Sequence, residues 1–154
     1  MTNQNQISVE IPQTVIDTVT QKLQECKTAL APYLQGLTLE ERMSLFKMGN
    51  KTVATVQKIK SYMETNPEFI PGYMNQSEFH KDEKLVTQLN PIVNLATQLA
   101  ADAEDTVMLA GSEAIQAALL YYGTVREANL RGVVSAKPVY ADLVQRFSKR
   151  SRPI

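Results

Sequence analysis

The sequence predicts an all-α protein: an up-down four-helix bundle with one split helix and an extra C-terminal helix. Three observations predict it. Between residues 78 and 131 the apolar and small residues keep a helical period, with Leu85, Leu89, Ile92, Ala96, Leu99 and Ala103 stepping by four, three, four, three and four. Val107, Ala110, Ala114, Ala117 or Ala118, Tyr121 and Val125 carry the stripe onward. That is the spacing of a helix that buries one face against other helices. No proline follows Pro91 in this stretch. Elsewhere, prolines, glycines and capping residues divide the chain into further helical segments.

Residues 1–10 read as a flexible leader, 11–148 as a single helical-bundle domain and 149–154 as a basic tail. Pro12 opens the first helix where a missing N–H is harmless. Val15, Val19, Leu23, Cys26 and Leu30 form its stripe over about residues 12–34, Pro32 kinks or stops it, and Gly36 offers a left-handed terminator. Thr38 and Glu41 have the spacing of a capping box before a short helix, 39–47, with Leu39, Met43 and Phe46 inward. Gly49 ends it. A third helix runs from residue 50 or 51 to about 65, with Val53, Val56, Ile59 or Lys60, and Met63 as its stripe. Residues 66–77 hold Pro67, Pro71 and Gly72, which forbid a continuous helix. Phe69, Ile70, Tyr73 and Met74 make this connection apolar enough to pack down.

Asn75 or Ser77 caps the long segment. As one helix it would run about 80 Å, against about 34 Å for the first helix, leaving much of it with nothing to pack on. Two antiparallel helices broken within Asp102–Asp105 are therefore expected, the carboxylates suiting a helix N-terminus. Without that break, the expectation changes to an extended dimer. Pro91 should bend the first of the pair. Gly132 ends the second, and Ser135 caps a final helix with Val139, Leu143 and Phe147 inward.

Composition narrows the function. Of 154 residues, 44% are hydrophobic and 21% charged, as in an ordinary globular domain. Sixteen basic and sixteen acidic residues cancel, which argues against a nucleic-acid partner. Lys149, Arg150 and Arg152 form the only basic cluster and read as a solvated tail. One cysteine excludes an internal disulfide and fits a reducing compartment. The N-terminus lacks the basic and apolar regions of a signal peptide, and no apolar run is long enough to span a membrane. Cytoplasm is the expected address.

No catalytic, metal-binding or phosphate-binding constellation stands out. His80 is the only histidine, and beside Glu78, Asp82 and Glu83 it reads as a solvated charged face at a helix start. Carboxylate-bridged metal bundles need Glu-x-x-His pairs that this chain lacks. Gly49-Asn-Lys-Thr52 lacks the upstream glycine of a phosphate loop, and Ser112 is not set in G-x-S-x-G. Cys26 lies on the apolar stripe of the first helix and reads as a small buried hydrophobe.

Two constellations merit attention. Ala110–Ala118 is the densest small-residue run; it allows either close helix packing or a pocket between the long helices, lined by Met108, Ala110, Glu113, Ala114 and Tyr121. Glu113 sits one step from the stripe and in a dry core would need a partner or a proton. Tyr121, Tyr122 and Arg126 lie about one turn apart and are residue types enriched at interfaces. Alternatively, one tyrosine points inward and the other lies at the surface beneath the arginine.

Lys47-Met-Gly-Asn-Lys-Thr52, Asn66-Pro-Glu-Phe-Ile-Pro71 and Asp105–Ala114 resemble a small family of uncharacterised bacterial helical proteins. The resemblance implies a bacterial source and a helical bundle; it carries no activity and no site residues. The expected function is a non-enzymatic protein-interaction module, acting on a protein partner or on itself as a homodimer, without a cofactor. The alternative is a small-molecule-binding bundle.

Overall fold

In a computed structural model, residues 5–148 are described, and among them all regular structure is helical. The helices are α1 (Gln13–Leu30), α2 (Leu39–Ser44), α3 (Asn50–Thr65), α4 (Gln76–Leu130) and α5 (Ala136–Ser148), with 3₁₀ turns at Ala31–Tyr33 and Pro67–Phe69. Lys149, Arg150 and Arg152 of the expected basic tail lie outside the described residues. The chain divides into two compact units, Glu10–Thr97 and Met1–Val9 with Gln98–Ile154. Helix α4 contributes residues 76–97 to the first and 98–130 to the second.

Local chemistry sets the ends of these helices. The Pro12 carbonyl accepts the amides of Val15 and Ile16 at 2.9 and 3.2 Å, starting α1. Pro32 converts its last turn to 3₁₀. Gly36 does not adopt the left-handed conformation expected of it; among the described residues only Gly132 has a positive φ. With Pro32 already stopping the helix, no left-handed cap is needed there. The capping box before α2 is formed. The Glu41 amide donates to Thr38 Oγ1 at 3.2 Å, and Glu41 Oε2 accepts the Thr38 amide at 2.7 Å. These bonds hold the Glu41 carboxyl below its ordinary range, the Thr38 backbone bond being the larger cause. Gly49 serves as the N-cap of α3. Asn75 caps α4, accepting the Glu78 amide on its side chain and the Phe79 amide on its carbonyl. At the other end, Val133 N–H donates to the Ala128 carbonyl and Gly132 N–H to that of Asn129. With Gly132 at φ +82°, this is a Schellman motif.

The expected break at Asp102–Asp105 is absent: α4 is one helix of 55 residues. The segment holds no glycine or proline, Ala101 and Ala103 are strong helix formers, and exposed carboxylates stay hydrated inside a helix. Pro91, Gly111 and Gly123 are all accommodated within it. The split of this segment into two antiparallel helices is therefore corrected.

A second correction concerns burial. Among the described residues, the buried apolar side chains are Val125 and Ala136 alone. Val15, Val19, Leu23 and Cys26, expected inward on α1, are exposed, and Leu30 is only half-buried. Leu39, Met43 and Phe46 are exposed too, Phe46 fully at 105%. The periodicity that marked these faces is present, but among the described residues they are left exposed. On α3 the expected row is half-buried at Val53, Val56, Lys60 and Met63, with Ile59 on the exposed side.

Continuity of α4 is measurable within its second unit. Spin labels at Gln98 and Gln116, diluted into unlabelled protein, should lie about 27 Å apart along a continuous helix and about 14 Å apart across a hairpin turning at 102–105.

Candidate functional site

In the unit Glu10–Thr97, α3 and the start of α4 are tied by one ion pair. Glu83 was expected on a solvated face but is buried, at 8% exposure. Lys60 Nζ donates to its Oε2 at 2.7 Å, and Thr87 Oγ1, one turn on, donates to Oε1 at 3.0 Å. Both carboxylate oxygens are thus satisfied, as burial of a charge demands. The Lys60 bond, then that of Thr87, holds the Glu83 carboxyl below its ordinary range; the same bond raises Lys60. Phe79, His80, Val86 and Leu89 are half-buried on this part of α4, with the rings of Phe79 and His80 edge to face at 5.6 Å. Lys60 lies on the periodic row with Val56 and Met63. That placement was the sequence signal for a buried partner, which the charge-rich setting of Glu83 concealed.

An apolar concavity of about 470 Å³ lies between the end of α3 and the following connection, lined by Ile59, Tyr62, Met63, Phe69, Ile70 and Met74 among others. The expectation that residues 66–77 pack down is met here: Ile70 and Met74 are half-buried.

In the other unit, α5 returns against the C-terminal part of α4. Tyr122 stacks on Tyr140 at 6.1 Å and 17°, and its ring centroid lies 4.7 Å from that of Phe147. Burial first, then the Tyr140 hydroxyl, pushes the Tyr122 phenol up. Val125 and Ala136, in the same unit, are buried. Glu113 is half-buried, and its Oε1 accepts the Gln6 backbone amide at 2.6 Å. That places Gln6 beside the helix.

The structure separates the residues proposed together from sequence. Tyr122 is inward with Tyr140 and Phe147, whereas Tyr121 and Arg126 are exposed. Met108, Ala110 and Ala114 are exposed on α4 with Tyr121, and the concavity beside α3 draws on none of them. Among the described residues no group of three or more His, Cys, Asp or Glu side chains is placed to hold a metal ion. Nor is any helix among them long and apolar enough to cross a membrane. Comparison with known proteins found no matching family model, no matching curated protein and no matching solved structure.

Two predictions follow from the paired groups. Lys60→Met should lower the thermal midpoint more than Lys60→Met with Glu83→Leu, since the single change strands a buried carboxylate. Because the Glu83 pKa is depressed, its stabilisation is complete above its ordinary value of 4.5 and lost as pH falls through the lowered one. Because the Lys60 pKa is raised, its share is complete below 10.5 and lost as pH rises through the raised value. Thermal melts across pH should show both losses in the wild type and smaller ones in the double variant, where Glu41 still contributes on the acid side. Separately, Tyr122→Ala should speed amide exchange through α5, while Tyr121→Ala leaves it unchanged; hydrogen–deuterium exchange resolves the two.

Proposed function

We propose that this protein is a non-enzymatic interaction module. Its amphipathic helices complete their bundle only when a second copy, or a partner protein, covers the faces that one chain leaves open. One observation carries the reading. A chain with 44% hydrophobic residues buries only two apolar side chains among its described residues. The stripes of α1 and of the middle of α4 have helical periodicity, yet they face water. Domain stability is a small surplus of apolar burial over chain entropy, and two buried apolar side chains cannot supply it. Association supplies the missing burial. The four-helix arrangement expected of one chain is, in this reading, a property of the assembly.

An exposed, unpaired Cys26 fits the reducing cytoplasm. The likeness to bacterial helical-bundle proteins rests on the three stretches named above and supplies no activity. A second reading has its own observation: the concavity beside Met63 and Ile70 has the volume and apolar lining of a small-ligand site.

Native mass spectrometry of the purified protein separates these readings. The interaction reading predicts an assembly of at least twice the 17.2 kDa chain mass. A bare 17.2 kDa monomer that unfolds in one cooperative transition contradicts it. A monomer carrying a small apolar adduct favours the ligand reading.

A further inference from the structure

We propose that α3 pairs antiparallel with α3 of a second copy about a two-fold axis, each copy seating its Phe46 in the apolar concavity at the far end of the other's α3. The inference rests on the interaction reading and deepens it by naming the partner, the anchor and its seat.

Anchor and seat are separate observations within the unit Glu10–Thr97. Phe46 follows the short helix α2 and is fully exposed, at 105%. Met43 and Leu45, next to it in sequence, are exposed as well. The concavity of about 470 Å³ lies at the other end of α3, with Ile59, Tyr62, Met63, Phe69, Ile70 and Met74 around it. A volume of that order encloses groups larger than one phenyl ring. Aromatic and methionine side chains are the residue types that interface cores favour. In the single chain, α3 holds anchor and seat apart. Tyr62 lies twelve residues beyond Asn50, about 18 Å along the helix. The four residues from Phe46 to Asn50 extend to about 14 Å at most.

Charge selects a second copy as the occupant. From Arg42 to Lys51 the chain holds Arg42, Lys47 and Lys51 and no acid. Two acids, Glu40 and Glu41, precede this run, the second engaged in the Thr38 capping box. From Ser61 to Met74 it holds Glu64 and Glu68 and no base. Of the lysines just before that stretch, Lys60 is committed to the buried Glu83, and Lys58 lies over the Tyr62 ring, 5.0 Å from its centroid. Arg42, Lys47, Lys51, Glu64 and Glu68 are all exposed, and none forms an ion pair among the described residues. The anchor therefore stands at a basic end of α3 and the seat at an acidic one. Turning one α3 end for end against another brings opposite charges together and each Phe46 to the other copy's concavity; a parallel pair would set like charges side by side. A two-fold axis makes the contact reciprocal and closes it at two copies, where a one-way contact would propagate.

Photo-cross-linking of the full chain tests the pairing. With p-benzoylphenylalanine in place of Phe46, irradiation should give a covalent dimer linked to residues 59–74. A monomer cross-linked to those same residues returns the anchor to its own chain and overturns the proposal. A dimer linked elsewhere overturns it and leaves the interaction reading standing. A monomeric wild type, bare or carrying an apolar adduct, removes both. Phe46→Ala should weaken dimerisation by about tenfold or more without loss of helicity, because the ring is fully exposed in the single chain. Charge gives a second readout. Lys47→Glu with Lys51→Glu should weaken the dimer, as should Glu64→Lys with Glu68→Lys, and the four changes together should restore it. A fourfold variant that keeps its helicity yet stays monomeric overturns the antiparallel pairing.

Discussion

A helix with an apolar face gains little from its own hydrogen bonds, which replace bonds to water. Its stability comes from taking that face out of solvent. Each described helix of this protein depends on that constraint, and among the described residues two places meet it most fully. Where α5 returns along α4, the rings of Tyr122, Tyr140 and Phe147 pack together, and Val125 and Ala136 in the same unit are buried. Where α3 faces the start of α4, Lys60 and Glu83 join two half-buried rows. Elsewhere the stripes of α1, α2 and the middle of α4 remain in water.

The two covered places differ in kind. The aromatic cluster is non-directional, draws strength from area and tolerates small shifts. The Lys60–Glu83 pair is directional: it adds little that an apolar pair could not, but it penalises any register that strands the carboxylate. It therefore sets where α3 sits along α4, and Thr87 fixes the second carboxylate oxygen. Most other ion pairs, such as Lys22 with Glu25 and Asp142 with Arg146, join residues one turn apart on a single exposed helix and contribute little to the arrangement of helices.

Features decided within a few residues were legible in the sequence. The Thr38–Glu41 box, the Asn75 cap and the Gly132 terminator each depend on spacing that the chain states directly, and each is present. The helical class was legible for the same reason. Burial was not, because a stripe shows that a face prefers to be covered and not what covers it. The break at Asp102–Asp105 was inferred from an assumption that α4 must find its cover within the chain. Local propensity across Ala101–Thr106 offers no reason to stop, and the helix continues. Glu83 misled for a related reason: among Glu78, Asp82 and Lys84 it looks like one more surface charge, and only the distant Lys60 makes it different. Tyr121 and Tyr122 part as one of the two sequence readings has it, one inward and one at the surface, because successive helical residues point about 100° apart and α5 covers only one of them.

The central claim is that the fold of this chain is completed by association. Its most direct test is the thermal midpoint measured over a hundredfold range of protein concentration. Mass action requires the midpoint of an associating protein to rise with concentration, because assembly stabilises only the folded form. The account predicts such a rise, with loss of cooperativity at the lowest concentrations. A sharp transition whose midpoint is the same at every concentration would contradict it and show that one chain provides its own core.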